Sequence, residues 1–376
     1  MITVSFIGQK GIPVSFGGVE YHVDRLASEL AKRDATVFAY VRSWYTDKKK
    51  REHNGVRLIH TPTLKTKHLD ASLHSLLSSI HSIFTATDIV HYHGIGPAFF
   101  SFIPKLFGKK VVCTIHRLDW ATEKWTAGAR LFLKAGEFIA TRIPDRTIVV
   151  SAELLAYVRK KHHATAVHIS HGSESPQPAP PGLITEKHGL HGADYILFLG
   201  RLSPEKRVAW IIKAFQEAKR SGAAAGVRLV IAGGSSSTDR HVAELTELSG
   251  RDGDIIFTGY VTGREKAELL SNALIFTMPS YLEGYPIALM EAKGYGRCCL
   301  VSDIPPHCEA VEDGLDGFLF RTDDFDAYRM KLTDLLENPA RAKIAGTAAR
   351  EKMKALPGWD AIAEKTIAVY MELAKK

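Results

Sequence analysis

Cysteine is scarce in this chain: four in 376 residues, Cys113, Cys298, Cys299 and Cys308, with no C-x-x-C pair. That spacing supports neither a zinc site nor a disulfide framework, and it points to a reducing cytoplasm. No apolar run approaches the roughly 18 residues that a membrane span needs. The start, Met-Ile-Thr-Val-Ser-Phe-Ile-Gly, lacks the basic region and long apolar core of a signal peptide and reads as a buried strand. Neither a P-loop nor G-x-G-x-x-G is present, so NTP hydrolysis and a dinucleotide cofactor lose support. No compositional extreme marks disorder, collagen or coiled coil: hydrophobic residues are 45%, charged residues 24%, with Gly 30 and Pro 16.

What is present is an uneven charge. The formal net charge is +8. Residues 1–183 hold 24 Lys+Arg against 14 Asp+Glu, whereas residues 184–376 hold 25 against 27. The basic half should meet something anionic, whether nucleic acid, a membrane surface or a phosphorylated substrate.

Short Val- and Ile-rich strands alternate with amphipathic helices, twice over. In the first half strands are expected near 2–7, 36–41, 56–60, 88–92, 110–115 and 146–150, with helices near 18–33, 69–84, 97–107, 127–141 and 151–161. A Pro-rich stretch, His171 to Gly182, interrupts the pattern. It restarts with a strand at 195–199, a helix at 206–219 and strands near 227–232, 254–258, 273–278, 298–301 and 317–320, and ends in three helices, 323–337, 340–355 and 360–375. The expected fold is α/β: two Rossmann-like, doubly wound domains facing a cleft, with C-terminal helices. The expected divisions are an N-terminal domain at 1–172, a hinge at 173–183, a second domain at 184–357 and a last helix at 358–376 that packs back on the first domain.

Three motifs carry chemistry. The first strand runs into Gly8-Gln-Lys-Gly11-Ile-Pro-Val-Ser-Phe-Gly17-Gly18-Val-Glu20, a glycine turn that lets a bulky anion approach backbone N–H groups. Gly200-Arg201-Leu-Ser-Pro-Glu205-Lys206 follows a strand directly, and its two cations suit a diphosphate. Ser280-Tyr-Leu-Glu283-Gly284-Tyr285-Pro286-Ile287-Ala-Leu-Met-Glu291 sets two glutamates eight residues apart. Pro286 is read as the first residue of a helix. Amides near 284–288 then serve phosphate and the carboxylates accept from sugar hydroxyls. Gly94-Ile-Gly96 reads as a plain loop. Asp323-Asp324 reads as a helix cap, and with no Asp-x-Asp at a strand end no metal site is expected.

These pieces, with Gly233-Gly234 and Phe257-Thr-Gly259-Tyr260-Val261, resemble the retaining, nucleotide-sugar-dependent glycosyltransferases of family 4, which have the GT-B fold, and they run in order along the whole chain. A narrower resemblance, to the bacterial rhamnosyltransferase-type branch of polysaccharide biosynthesis, rests on Lys67–His74, Asp88-Ile-Val-His91-Tyr-His93 and Thr114-Ile-His116-Arg117-Leu-Asp119-Trp120…Glu123-Lys124-Trp125. Arg117, Thr122 and Ser170-His171-Gly172 depart from that branch. The resemblance implies that Arg201 and Lys206 clamp the donor diphosphate, Glu291 holds the ribose, Glu283 meets the donor sugar, and Gly17, Gly18, Gly200 and Gly234 allow close approach. The segment at Tyr260 and Val261 meets the base, His116 the sugar, and Asp119 and Trp120 the acceptor. His93 reads as structural.

The implied activity is hexosyl or deoxyhexosyl transfer, rhamnosyl by the narrower resemblance, from a nucleotide-diphosphate sugar to a saccharide acceptor on a lipid carrier, with no cofactor and no metal. A GT-B-like sugar-nucleotide epimerase and a basic nucleic-acid-binding protein are the alternatives, and no recognised nucleic-acid motif supports the second. Three segments combine apolar or aromatic residues with basic residues: Trp44-Tyr45…Lys48-Lys49-Lys50-Arg51, the helical stripe Leu69, Leu73, Leu76, Leu77, Ile80 and Phe84, and Pro97–Lys110. They point to peripheral attachment to an anionic membrane, on its cytoplasmic face. Each helix alone reads as an ordinary core stripe.

Overall fold

The computed structural model describes residues 2–374 apart from 34, 65, 67, 68, 123, 124, 175, 235–238 and 251. Lys67, His68, Glu123 and Lys124 of the narrower resemblance lie outside the described residues. The chain divides into two units, Met1–Gly172 with Pro357–Lys376, and Ser173–Leu356.

Unit 1 is built on an eight-stranded sheet: β1 (Ile2–Ile7), β2 (Ala35–Arg42), β3 (Glu52–His53), β4 (Val56–Thr61), β5 (Ile89–His93), β6 (Lys110–Ile115), β7 (Arg146–Val149) and β8 (Val167–His168), in spatial order β3-β4-β2-β1-β5-β6-β7-β8. All neighbours are parallel except β3 with β4. Its helices are α1 (Gly18–Ala31), α2 (Asp70–Ile83), α3 (Ile95–Ala98), α4 (Phe102–Leu106), α5 (Ala127–Arg142) and α6 (Ala152–His162). The C-terminal helix also belongs to this unit. Its Ile362, Tyr370 and Leu373 join Val4, Phe6, Val23 and Leu30 in one apolar core.

Unit 2 is a six-stranded, all-parallel sheet of β9 (Tyr195–Leu199), β10 (Arg228–Ala232), β11 (Ile255–Gly259), β12 (Ile275–Met278), β13 (Cys298–Ser302) and β14 (Phe318–Phe320), in order β11-β10-β9-β12-β13-β14. Its helices are α7 (Leu183–His188), α8 (Val208–Ser221), α9 (Asp239–Ser249), α10 (Gly263–Asn272), α11 (Ile287–Gly294), α12 (Pro305–Ala310), α13 (Phe325–Glu337) and α14 (Pro339–Ala355). The final α15 (Trp359–Ala374) is the helix that joins unit 1. Strands covered on both faces read as continuous apolar runs, and Tyr195, Ile196, Leu197 and Phe198 are all fully buried.

Several local expectations change. The helix expected at 97–107 begins earlier, at Ile95, and Gly94, expected in a plain loop, is its N-cap with φ +102°. Gly96 lies inside that helix. The two-residue strands β3 and β8 are too short to leave a periodic signal. The Pro-rich stretch is pinned along unit 2. Gly182 N–H donates to Glu268 at 2.9 Å, Ala179 N–H to Ser271 Oγ at 2.9 Å, and Asn272 Nδ2 to Ala179 O at 2.8 Å. Asp324 caps α13 by accepting from Ala327 N–H at 2.9 Å.

One buried ion pair anchors α11. Lys293 Nζ lies 2.9 Å from Asp316, and both side chains are 1% exposed. Burial raises the Asp316 carboxyl, but hydrogen bonds from Lys352 and Lys293 outweigh it and hold the group below the usual carboxylate range. Removing one partner of such a pair strands a buried charge and costs about 3–5 kcal/mol. Lys293→Met should therefore lower unfolding stability by about 3 kcal/mol in urea titrations at neutral pH, the lower end because Lys352 also reaches Asp316 at 2.9 Å. A depressed carboxylate stabilises above its unfolded pKa and loses that contribution as pH falls through its folded pKa. The gap between wild type and variant should therefore close in acid.

Candidate functional site

In doubly wound sheets ligands bind beyond the carboxyl ends of the strands, where the strand order reverses and the connecting loops part to opposite faces. Unit 2 reverses between β9 and β12. The segment after β9 is Gly200 to Lys206, and the segment after β12 is Ser280 to Pro286. The sequence motifs thus sit side by side at the switch point.

They are joined there by specific bonds. Tyr281 N–H donates to Glu205 O at 3.0 Å. Lys206 Nζ forms an ion pair with Glu283 Oε1, and their side chains are 12% and 7% exposed. Burial raises the Glu283 carboxyl, but the Lys206 ammonium, the neighbouring His307 and hydrogen bonds from Lys206 and Ser280 pull it below its ordinary value. Glu283 is therefore an ionised acceptor. Arg201 Nη2 is 3.4 Å from Glu205 Oε1. Lys266, at the start of α10, reaches Glu291 Oε1 at 2.5 Å. A lysine offers three donors and a carboxylate about four acceptor positions, so each pair keeps capacity for a ligand.

Glycines bring the neighbouring strand ends close. Gly233, with φ +144°, has no room for a side chain, because a Cβ there would lie 1.8 Å from Gly200 O. A Cβ on Gly234 would lie 2.7 Å from the Tyr260 ring. Tyr260 is 42% exposed, whereas Val261 is buried in the core.

Unit 1 reverses between β1 and β5. The glycine turn after β1 is held by Tyr45, whose hydroxyl accepts from Ser15 and Phe16 N–H at 2.8 and 2.9 Å and donates to Phe16 O at 2.7 Å. Gly17 caps α1 with φ +107°, and Gly18 opens the helix. A Cβ on Gly17 would lie 1.9 Å from Glu20 Oε2, and Glu20 Oε1 accepts from Lys10 N–H at 3.1 Å. Burial raises the Glu20 carboxyl, but Lys10 and backbone N–H donors bring it below its ordinary value. His116 follows β6 and is buried. Burial lowers its pKa to about 4 against the opposing carboxylates of Asp119 and Glu20, so the ring is neutral at physiological pH. Asp119 Oδ1 accepts from Arg117 Nε at 2.7 Å. Trp120 turns elsewhere. Its indole N–H donates to buried Glu137, and Lys134 and Lys161 lie 5.2 and 5.1 Å over its ring.

Residues 16–172 match Glycosyltransferase Family 4, and residues 183–352 match the glycosyl transferases group 1 family. The chain is a glycosyltransferase of the GT-B type. It is 26% identical over 399 residues, 99% of each chain, to alpha-maltose-1-phosphate synthase of Mycolicibacterium smegmatis. Over 88 residues, 23% of each chain, it is 36% identical to N,N'-diacetylbacillosaminyl-diphospho-undecaprenol alpha-1,3-N-acetylgalactosaminyltransferase of Campylobacter jejuni. Its fold is similar to HepE of Anabaena, solved with UDP-glucose, with a TM-score of 0.80 at 17% identity over 99% of this chain and 100% of that one.

Within this glycosyltransferase two details differ from the sequence expectation. Pro286 is the N-cap of α11 rather than its first residue, because its ψ of 74° leaves the helical region. Ile287 N–H donates to Tyr285 O at 3.0 Å and so is not among the open amides of that turn. Sequence reasoning missed Lys266, His307 and Glu137. Lys266 and Glu137 look like ordinary helix-surface charges in sequence. Each gains its role only when a distant residue folds against it, Glu291 for the first and Trp120, Tyr157, Lys161 and His162 for the second.

The Lys206–Glu283 pair is testable apart from catalysis. Lys206→Met should cost about 3–5 kcal/mol of unfolding stability, because Glu283 is left buried without its cation. Lys206→Met/Glu283→Gln should recover part of that loss in the same urea titration. No recovery would mean that the lysine stabilises by packing rather than by pairing.

Proposed function

We propose that this glycosyltransferase is a retaining enzyme that moves a hexosyl or deoxyhexosyl unit, rhamnosyl in the narrower reading, from a nucleotide-diphosphate sugar to a saccharide acceptor on a lipid carrier. The observation that carries the donor half is the Lys206–Glu283 pair beside Arg201 at the β9/β12 switch point. Breaking a glycosyl–phosphate bond loads negative charge onto the leaving diphosphate. Arg201 and Lys206 are fixed cations placed to meet that charge, which is worth more in a partly buried site than in water. Ionised Glu283 accepts from donor-sugar hydroxyls, and Glu291 accepts from the ribose diol. Tyr260 and the backbone at Val261 meet the base, and the segment Gly284–Ile287 lines the phosphate. Gly200 and Gly234, with Gly17 and Gly18 in unit 1, keep side chains out of the donor's path.

Neutral His116 hydrogen-bonds the donor sugar, and Asp119 contacts the acceptor. Trp120, held by Glu137, contributes to the acceptor side by fixing the loop that carries Asp119. Attack comes from the face the diphosphate leaves, and the departing phosphate oxygen takes the acceptor proton. UDP-glucose in HepE supports a nucleotide-sugar donor. The name of the Campylobacter jejuni relative, with its diphospho-undecaprenol, supports a lipid-linked acceptor.

Arg201→Ala should lower kcat/KM by about 10²–10³-fold. A thermal-shift panel of nucleoside diphosphates should show one that stabilises the wild type in proportion to its excess over Kd. That shift should shrink in Arg201→Ala. An unresponsive wild type would overturn the donor reading.

Peripheral membrane attachment belongs to the same proposal, and α2 supports it. The best-buried face of this helix is polar, and its leucines Leu73, Leu76 and Leu77 are only half-buried. It buries His74, Ser75, Ser78, Ser79 and Ser82, with Ser79 Oγ 2.7 Å from Tyr92 OH and Ser78 Oγ 3.3 Å from Thr61 Oγ1. Leu69, Ile80 and Phe84 are exposed, Phe84 by 82%. On the adjoining α4 and just beyond it, Phe102, Leu106 and Phe107 are exposed as well. Trp44 and Tyr45 are not part of this surface. Trp44 Nε1 donates to Asp70 at 3.0 Å and Tyr45 braces the glycine turn, leaving Lys48, Lys49 and Arg51 as the exposed part of that segment. No helix among the described residues is long and apolar enough to cross a membrane, and an apolar ridge with nearby cations suits an anionic lipid interface. Phe84→Asp/Leu106→Asp/Phe107→Asp should lower sedimentation with phosphatidylglycerol vesicles by more than about tenfold. Binding that ignores both the triple variant and added salt would overturn the attachment.

A further inference from the structure

Unit 1 gathers five histidines at its switch point: His22 from α1, His91 and His93 from β5, His116 after β6 and His171 after β8. His91 is spoken for, with Nδ1 2.6 Å from Tyr370 OH and Nε2 2.7 Å from Thr114 Oγ1. Three others converge. One ring nitrogen from each of His22, His93 and His116 lies within 4.8 Å of the other two, and all three residues are buried. His93 Nδ1 and His116 Nε2 are 3.2 Å apart.

That geometry and that chemistry point to one kind of ligand. Imidazole nitrogens bound to one tetrahedral ion at about 2.0–2.1 Å lie roughly 3.4 Å from each other. The His93–His116 spacing is already there, and the His22 nitrogen lies within 4.8 Å of both. An N–H···N bond would account for that one contact, but it leaves His22 Nδ1 buried with no hydrogen-bond partner among the described residues. Buried polar atoms are normally satisfied, and an unseen ion or water is a standard reason for an apparent exception. Burial keeps the three rings in the neutral form that ligates.

We propose that His22, His93 and His116 form a ligand set for one divalent transition-metal ion of the kind imidazole prefers, such as Zn²⁺, Co²⁺ or Ni²⁺. Three protein ligands leave a fourth position open. The site lies within unit 1 and shares His116 with the donor reading; the test therefore reads Co²⁺ binding and varies His22 and His93, which the donor reading does not use, so either can fail without the other.

The test uses untagged full-length protein with Cys308→Ser, which removes the exposed thiol, stripped with EDTA and titrated with Co²⁺. One saturable equivalent with visible d–d absorption, displaced by Zn²⁺, is expected. His22→Gln/His93→Gln should weaken Co²⁺ binding by at least about tenfold, whereas His191→Gln, at an exposed position, should leave it unchanged. No saturable equivalent in the folded parent, or unchanged affinity in the double variant, would overturn the site and leave water in the cluster. Should circular dichroism show the double variant unfolded, proton NMR of the Co²⁺-loaded parent decides. Hyperfine-shifted resonances from three imidazole rings support the set, and fewer than three rule it out.

Discussion

A parallel sheet covered on both faces leaves one place for polar chemistry, the edge formed by the carboxyl ends of its strands. Most of what the two units offer a ligand obeys that constraint. In unit 1 the glycine turn follows β1, His93 ends β5 and His116 follows β6. In unit 2 Arg201 and Lys206 follow β9, Gly233-Gly234 follow β10, Tyr260 and Val261 follow β11, and Glu283 follows β12. Both sheets reverse order next to their first strand, and the Lys206–Glu283 pair and the histidine cluster fall where the loops part.

The same edge requires small residues. Gly233 lies so close to Gly200 that no side chain fits, and Gly17 lies equally close to the Glu20 carboxylate. These are close approaches of the chain to itself. The long-range ion pairs then fix the side chains: Lys206 with Glu283 across two neighbouring strands, Lys266 with Glu291 across two helices, and Lys293 with Asp316 beneath the same α11.

Helix α2 shows how a periodic pattern can be read correctly as a helix and still leave its orientation open. Leu69, Leu73, Leu76, Leu77, Ile80 and Phe84 form the stripe that ordinarily packs inward. Here the more deeply buried face is the polar one, where Ser78, Ser79 and Ser82 find hydrogen-bond partners on β4, β5 and their own turn, and Leu73, Leu76 and Leu77 are only half-buried. Periodicity reports that two faces differ. Which one turns inward depends on partners that lie elsewhere in the chain.

The sequence by itself determined the α/β architecture, because two-sided burial writes strands as apolar runs and helices as 3.6-residue stripes. It also determined the local site motifs, since Gly17-Gly18, Gly200–Lys206 and Glu283–Glu291 are each continuous in the chain. Tertiary structure alone decided the pairings: Lys206 with Glu283, 77 residues apart, Lys266 with Glu291, and Trp120 with Glu137. It alone assembled His22, His93 and His116, whose spacing in the chain matches no metal motif. Ligand spacing is legible in sequence only when one turn or one helix supplies the set, and these three rings come from a helix, a strand and a loop that meet only because β1, β5 and β6 are neighbours in the sheet.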